Sequence, residues 1–248
     1  MVDESLIAYR TNAIDSERIK AVEPKQEVTE TWRQLVSFDP VNPFNDNKEI
    51  TKEIIAALST CTIIDPACGS GAFPMGILQK MVHILQKLDP SNEIWFDVQF
   101  ERANEESRNV FGQIEDEEGR QERLDDIYQA FDQTLNDPDY ARKLFLIENC
   151  IYGVDIQPIA TQISKLRFFI SLVVDQKVNP EKKNFGIRAL PNLETKFVAA
   201  NTLIGIDRPA KGEQLNMFNT EKLKELEAEL KQVRSKLFSA KRKETKVK

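Results

Sequence analysis

The stretch Thr62 to Gly76, T-I-I-D-P-A-C-G-S-G-A-F-P-M-G, constrains this chain more than any other. Ile63 and Ile64 end a short apolar run suited to a buried parallel strand, and Asp65 stands where that strand should stop. Gly69 and Gly71 let the backbone turn sharply and meet a ligand without side chains in the way. Pro74 fits the first turn of the helix that follows. Strand, glycine turn and helix together form a corner that accepts a nucleotide-like ligand, although glycines alone also fit a purely structural corner.

Two later stretches repeat the pattern of a strand ending in a polar residue. In Asn149 to Ala160, N-C-I-Y-G-V-D-I-Q-P-I-A, Ile151 to Val154 read as a strand, Asp155 sits at its carboxyl end and Pro158 opens a helix. A carboxylate there can accept from two adjacent ribose hydroxyls, or it can simply cap the helix. In Leu193 to Ile206, Lys196 to Ala199 read as a strand and Asn201 follows it. Asn201 is either a hydrogen-bonding group at the strand end or an ordinary asparagine turn.

Taken together, D-P-A-C-G-S-G-A-F, Asp155 and Asn201 resemble motifs I, II and III of the adenine-specific DNA methyltransferases of restriction-modification systems. The resemblance covers about residues 50–206 and implies a Rossmann-like, S-adenosylmethionine-dependent α/β fold built on a parallel sheet. It implies that Asp65, Pro66, Ala67, Cys68, Gly69, Gly71 and Phe73 surround the methionine part of S-adenosylmethionine. By the same likeness Asp155 meets the ribose, Ile156 lies against the adenine ring and Asn201 accepts from the adenine amino group. Such enzymes carry an N-P-P-Y or D-P-P-Y motif after motif III, which holds the target amino group of a flipped base. This sequence has none: its N-P dipeptides, Asn42-Pro43 and Asn179-Pro180, are followed by Phe44 and Glu181. No catalytic residue is therefore assigned, the sheet is expected to be incomplete, and the chain reads as the cofactor-binding part of a longer polypeptide, inactive alone.

The remaining sequence divides around this core. Residues 1–48 read as a polar amino-terminal extension, with an irregular, partly buried loop around Trp32, Leu35, Val36, Phe38 and Phe44. Residues 49–207 form the expected cofactor-binding domain, opened by a helix over Glu49 to Leu58 and continued by an apolar helix from Met75 to Leu88. Residues 90–146, rich in charged helix formers, read as a helical insertion, and an apolar helix is expected from Ile159 to Val174. Residues 208–248 become a charged helical arm in which Leu223, Leu226, Leu230, Val233 and Leu237 recur in a heptad-like pattern, with a basic end.

With 34 Lys and Arg against 40 Asp and Glu, the formal charge of −6 opposes a general phosphate-backbone binder and leaves DNA contact as a local matter, through the full-length protein. Cys61, Cys68 and Cys150 form no C-x-x-C pair and His83 is the only histidine, so neither a zinc site nor a disulfide framework is expected, and a cytoplasmic setting is. No long apolar stretch suggests a membrane. Two other functions fit the same residues: a non-catalytic S-adenosylmethionine-binding module, and a methyltransferase acting on a protein or RNA amino or amide group. A nicotinamide oxidoreductase fits less well, because it leaves P-A-C between Asp65 and Gly69 unexplained.

Overall fold

The computed structural model describes residues 1–13, 25–45, 47–110, 117–132, 136–181, 183–187 and 191–204, with positions 226, 229, 230 and 233. Helices α1 (Val2–Ala13), α2 (Lys25–Val36) and α3 (Lys48–Thr60) lead to strand β1 (Ile63–Asp65). Helices α4 (Ala72–Leu88), α5 (Glu93–Val110), α6 (Glu117–Phe131) and α7 (Pro138–Asn149) separate β1 from β2 (Ile151–Asp155). Helix α8 (Pro158–Val173) then precedes β3 (Phe197–Ala199). The three strands form one parallel sheet in the order β1-β2-β3, with Asp65 beside Gly153 and Gly153 beside Phe197.

Period-two alternation sorts the strands into two faces. Ile151, Gly153 and Phe197 lie on the buried one, against which α4, α7 and α8 pack. Ile64 and Val198 lie on the other, where they are 63% and 40% exposed. Parallel sheets are ordinarily covered on both faces, so among the described residues this is half of an α/β sandwich.

Helix α4 is the central pillar. Ile77, Leu78, Met81, Ile84, Leu85 and Leu88 form the buried stripe that their spacing dictates. Lys80 and Lys87 are buried as well, and their partners explain why. The last carbonyls of a helix have no intrahelical donors and carry partial negative charge. Lys80 Nζ donates to Val36 O at 2.9 Å, and Lys87 Nζ donates to Gln34, Leu35 and Ser37 carbonyls at 2.7–3.1 Å. Burial lowers the Lys87 pKa from its ordinary value. His83 Nε2 lies 3.0 Å from Ser37 O and its ring packs on Phe38, so this histidine serves packing.

These contacts correct two sequence expectations. The stretch beginning at Thr31 is the second half of helix α2 up to Val36, and Trp32, Leu35 and Val36 are core residues. The amino-terminal residues are also more than surface: α1 buries Leu6 and sets Asp3 beside Lys80 at 3.3 Å.

The described residues between 90 and 146 are mostly helical, and they are tied firmly to the pillar. Asp89 caps α5, its carboxylate accepting from the Glu93 and Trp95 amides at 3.2 and 2.7 Å. Arg142 of α7 is 2% exposed. It donates to the Asp89 carbonyl at 2.6 Å and pairs with Asp139 at 2.5 Å. Trp95, fully buried, meets the Phe145 ring edge-on at 5.2 Å. Phe96, Phe100, Tyr128 and Phe131 form an aromatic cluster between α5 and α6.

Helix α8 buries Thr161, Ser164, Lys165, Phe168 and Leu172, while Ile159, Ile163, Leu166 and Ile170 on its opposite side are 45–70% exposed. At the carboxyl end of the chain, Leu226, Leu230 and Val233 are helical and about half exposed; the rest of the expected arm and its seam lies outside the described residues. No described helix is long and apolar enough to cross a membrane, and the described residues contain no group of three or more His, Cys, Asp or Glu able to hold a metal ion.

Candidate cofactor site

The three polar strand ends meet around the glycine turn. Asp65 closes β1, and its Oδ1 accepts from the Ala67 amide at 3.1 Å, which turns Pro66 and Ala67 outward. The chain then doubles back against β2, where the Cys68 amide donates to the Val154 carbonyl at 2.9 Å. Gly69 and Gly71 follow with φ of +53° and +80°, the left-handed region that side chains disfavour. A Cβ on Gly69 would face open space, whereas one on Gly71 would strike Ser164 Oγ at 2.8 Å. The turn is thus open on one side and packed on the other, with Phe73 half-buried against the core in the first turn of α4.

Asp155 is more deeply involved in this turn than its position in the sequence suggests. Its Oδ2 accepts from the Gly69 amide at 2.9 Å and its Oδ1 from the Gln157 amide at 2.8 Å. One oxygen thus makes the local turn before α8, and the other reaches the glycine loop. Ile156, next to it, is 66% exposed and leaves an apolar surface at the strand end.

The end of β3 joins the same rim. The Ala200 amide donates to the Asp155 carbonyl at 2.9 Å, and Thr202 Oγ1 donates to the Pro66 carbonyl at 3.2 Å. Asn201 Oδ1 accepts from the Leu203 amide at 3.0 Å, the ordinary asparagine turn. A carbonyl oxygen has two lone pairs, so this bond leaves one for a ligand.

The structure thus gathers Asp65, Pro66, Ala67, Cys68, Gly69, Gly71, Asp155, Ile156 and Asn201 around the carboxyl ends of the three strands. Cys68 is buried, and burial, followed by the nearby Asp65 carboxylate, pushes its thiol pKa up, which disfavours the nucleophilic thiolate.

Three contributors lie outside the residues that motif reading picks out. Gly153 sits in the middle of β2, where a Cβ would meet the Phe197 ring at 2.8 Å and Cys68 Sγ at 2.9 Å. A glycine inside a strand is itself the signal of such a close approach. Ser164 of α8 donates to the Gly69 carbonyl at 3.0 Å, and Arg167 reaches the Ser70 carbonyl at 3.1 Å. Nothing in a single sequence marks those two.

A glycine turn and two carboxylates at the carboxyl ends of parallel strands form the kind of corner at which open α/β sheets commonly take their ligands. Comparison with known proteins narrows the class. Residues 149–247 match the Eco57I restriction-modification methylase family, a span that includes Asp155, Ser164 and Asn201 but not the glycine loop. The chain is also similar to the putative type II restriction enzyme and methyltransferase RM.MjaORFECS2P of Methanocaldococcus jannaschii, with 26% identity over 192 residues, covering 74% of this chain and 13% of that protein. No solved structure matches the chain. Both likenesses support a methyltransferase of the restriction-modification type.

Proposed function

We propose that this chain is the S-adenosylmethionine-binding portion of a site-specific DNA adenine methyltransferase from a restriction-modification system, built on a Rossmann-like sheet. The observation that carries the reading is the Asp155 carboxylate lying 2.9 Å from the Gly69 amide. This contact supports the reading because it joins the residue proposed to meet the ribose to the loop proposed to meet the methionine part, although 86 positions separate them.

The donor set fits this cofactor. Ionised Asp65 and Asp155 are acceptors only, so the ligand must present donors or positive charge to them. S-adenosylmethionine offers both: an α-ammonium and a sulfonium for the Asp65 side, and two ribose hydroxyls for Asp155. A dinucleotide would bring a pyrophosphate toward those carboxylates, an arrangement that costs energy. Ile156 supplies an apolar surface for the adenine ring, and the second lone pair of Asn201 Oδ1 is left for the adenine amino group. When bound, the cofactor supplies the electrophilic methyl group; the chain's own residues orient it.

Calorimetry with S-adenosylhomocysteine tests the site. Asp155→Ala is expected to weaken binding by about 1–3 kcal/mol, since it removes the acceptor for ribose hydroxyls and a hold on Gly69 together. An unchanged dissociation constant would remove Asp155 from the site.

The acceptor side of the reaction is not built by these residues. Positioning the target nitrogen in line with the methyl group is a large part of the barrier, and no N-P-P-Y sequence is present to do it. We therefore expect no methyl incorporation when the 248-residue chain is incubated with labelled cofactor and mixed-sequence duplex DNA. Incorporation that is abolished by Asp65→Ala would place the catalytic groups within this sequence after all. The absence of that motif equally suits a non-catalytic cofactor-binding module, and methylation by a longer polypeptide containing this chain would decide for the enzyme.

A further inference from the structure

Gly69 is the residue of the loop whose peptide groups are held from outside on both sides. Its amide donates to Asp155 Oδ2 at 2.9 Å, and its carbonyl accepts from Ser164 Oγ at 3.0 Å. Both partners belong to the β2–α8 unit. Ser164 is fully buried, and its hydroxyl is also 3.1 Å from the Ala160 carbonyl one turn back in α8. A hydroxyl has a single proton, so the two carbonyls share it. The serine side chain also fills the space beside Gly71, where an added Cβ would meet Oγ at 2.8 Å.

A left-handed glycine has little intrinsic preference for one peptide orientation, and fixing a residue in one conformation costs about 1–2 kcal/mol. Whatever fixes the Gly69 peptides before the ligand arrives removes that cost from binding. With the amide turned to Asp155 and the carbonyl turned to Ser164, the remaining side of Gly69 stays open, with nothing within 4 Å of where a Cβ would stand.

We propose that Ser164 is a positioning residue for the glycine loop, acting with Asp155 to preset the Gly69 peptide for the amino-acid end of the cofactor. The inference rests on the cofactor reading above and extends it to a helix position that no motif includes. Its consequence is selective. Ser164 touches the loop and not the ribose end of the crevice, so its removal should affect ligands that carry the methionine portion and spare those that do not.

The experiment uses the full chain and compares wild type with Ser164→Ala by calorimetry, with S-adenosylhomocysteine and with adenosine as probes. S-adenosylhomocysteine affinity is expected to fall roughly four- to twelvefold in the variant, the upper part of the value of one hydrogen bond, while adenosine affinity stays within about twofold. Amide hydrogen exchange without ligand is expected to be faster at Gly69 and Ser70 in the variant and unchanged in the core of α4. Equal losses for the two probes, or none, would overturn the proposal, as would unchanged exchange at Gly69. Should the wild-type chain bind neither probe, the cofactor reading fails, and the exchange comparison still tells whether Ser164 holds the loop.

Discussion

Gly153→Ala is expected to lower stability by about 3 kcal/mol, near the upper end of what overpacking one methyl group costs in a well-packed core. The new Cβ would sit 2.8 and 2.9 Å from two atoms of the Phe197 ring and 2.9 Å from Cys68 Sγ, closer than carbon atoms normally come. Neither neighbour yields readily. Phe197 is fully buried with its ring 4.6 Å from that of Phe168, and Cys68 is fixed by its amide's bond to the Val154 carbonyl. For a protein of this size the loss corresponds to a drop in Tm of roughly 6–12 °C in a thermal melt. Relief should come from the partner: Phe197→Leu in the Gly153→Ala background is expected to restore part of the loss, a non-additivity that a double-mutant cycle measures. An unchanged Tm in the single variant would mean that the ring or the loop has room the packing does not show.

The second large effect is expected at Arg142. Its guanidinium is 2% exposed and holds the Asp89 carbonyl, the Pro90 carbonyl and the Asp139 carboxylate. Arg142→Ala takes from the buried Asp89 carbonyl the stronger of its two donors, leaving the Asn92 amide at 3.2 Å, and opens a void beside α4; losing a hydrogen bond to a charged group costs about 1.5–3 kcal/mol. Asp139 keeps some access to water, so its own loss is discounted and the total should be about 3–4 kcal/mol. Denaturant unfolding measures it. A loss below 1 kcal/mol would show that the junction between α4 and the insertion is not held by this residue. Because the Asp89 carboxylate also caps α5, faster amide exchange is expected in the first turn of that helix.

The parts of this fold that the sequence made legible are those where a residue type answers a backbone need. Gly69 and Gly71 occupy left-handed positions, Asp65 and Asp155 stand at strand ends, and the α4 stripe follows the helical period. Helix limits shifted only by capping: α4 begins at Ala72, three positions before the apolar face, because Gly71 supplies the turn that starts it. The helix around Trp32 was hidden because its carboxyl end is closed by lysines from another helix, through contacts 44 to 53 positions away. Ser164 was hidden for the same reason. It looks like one small polar residue in an apolar helix, and its role exists only where α8 crosses the loop.

The long detour between β1 and β2 has a consequence for how the chain is made. Gly69 leaves the ribosome 86 residues before Asp155 and 95 before Ser164. At ordinary synthesis rates that interval is on the order of ten seconds, far longer than helices need to form. During it the glycine turn has neither of its anchors and β1 has no neighbour to pair with. The helices made in the meantime are α4 itself and then α5, α6 and α7, and α7 packs directly on α4. The insertion therefore gives the growing chain a way to shield the apolar side of its central helix before the sheet exists. The anchored glycine turn and the strand ends around it are the last part of the described core to take shape, completed only when β2, α8 and β3 arrive in turn.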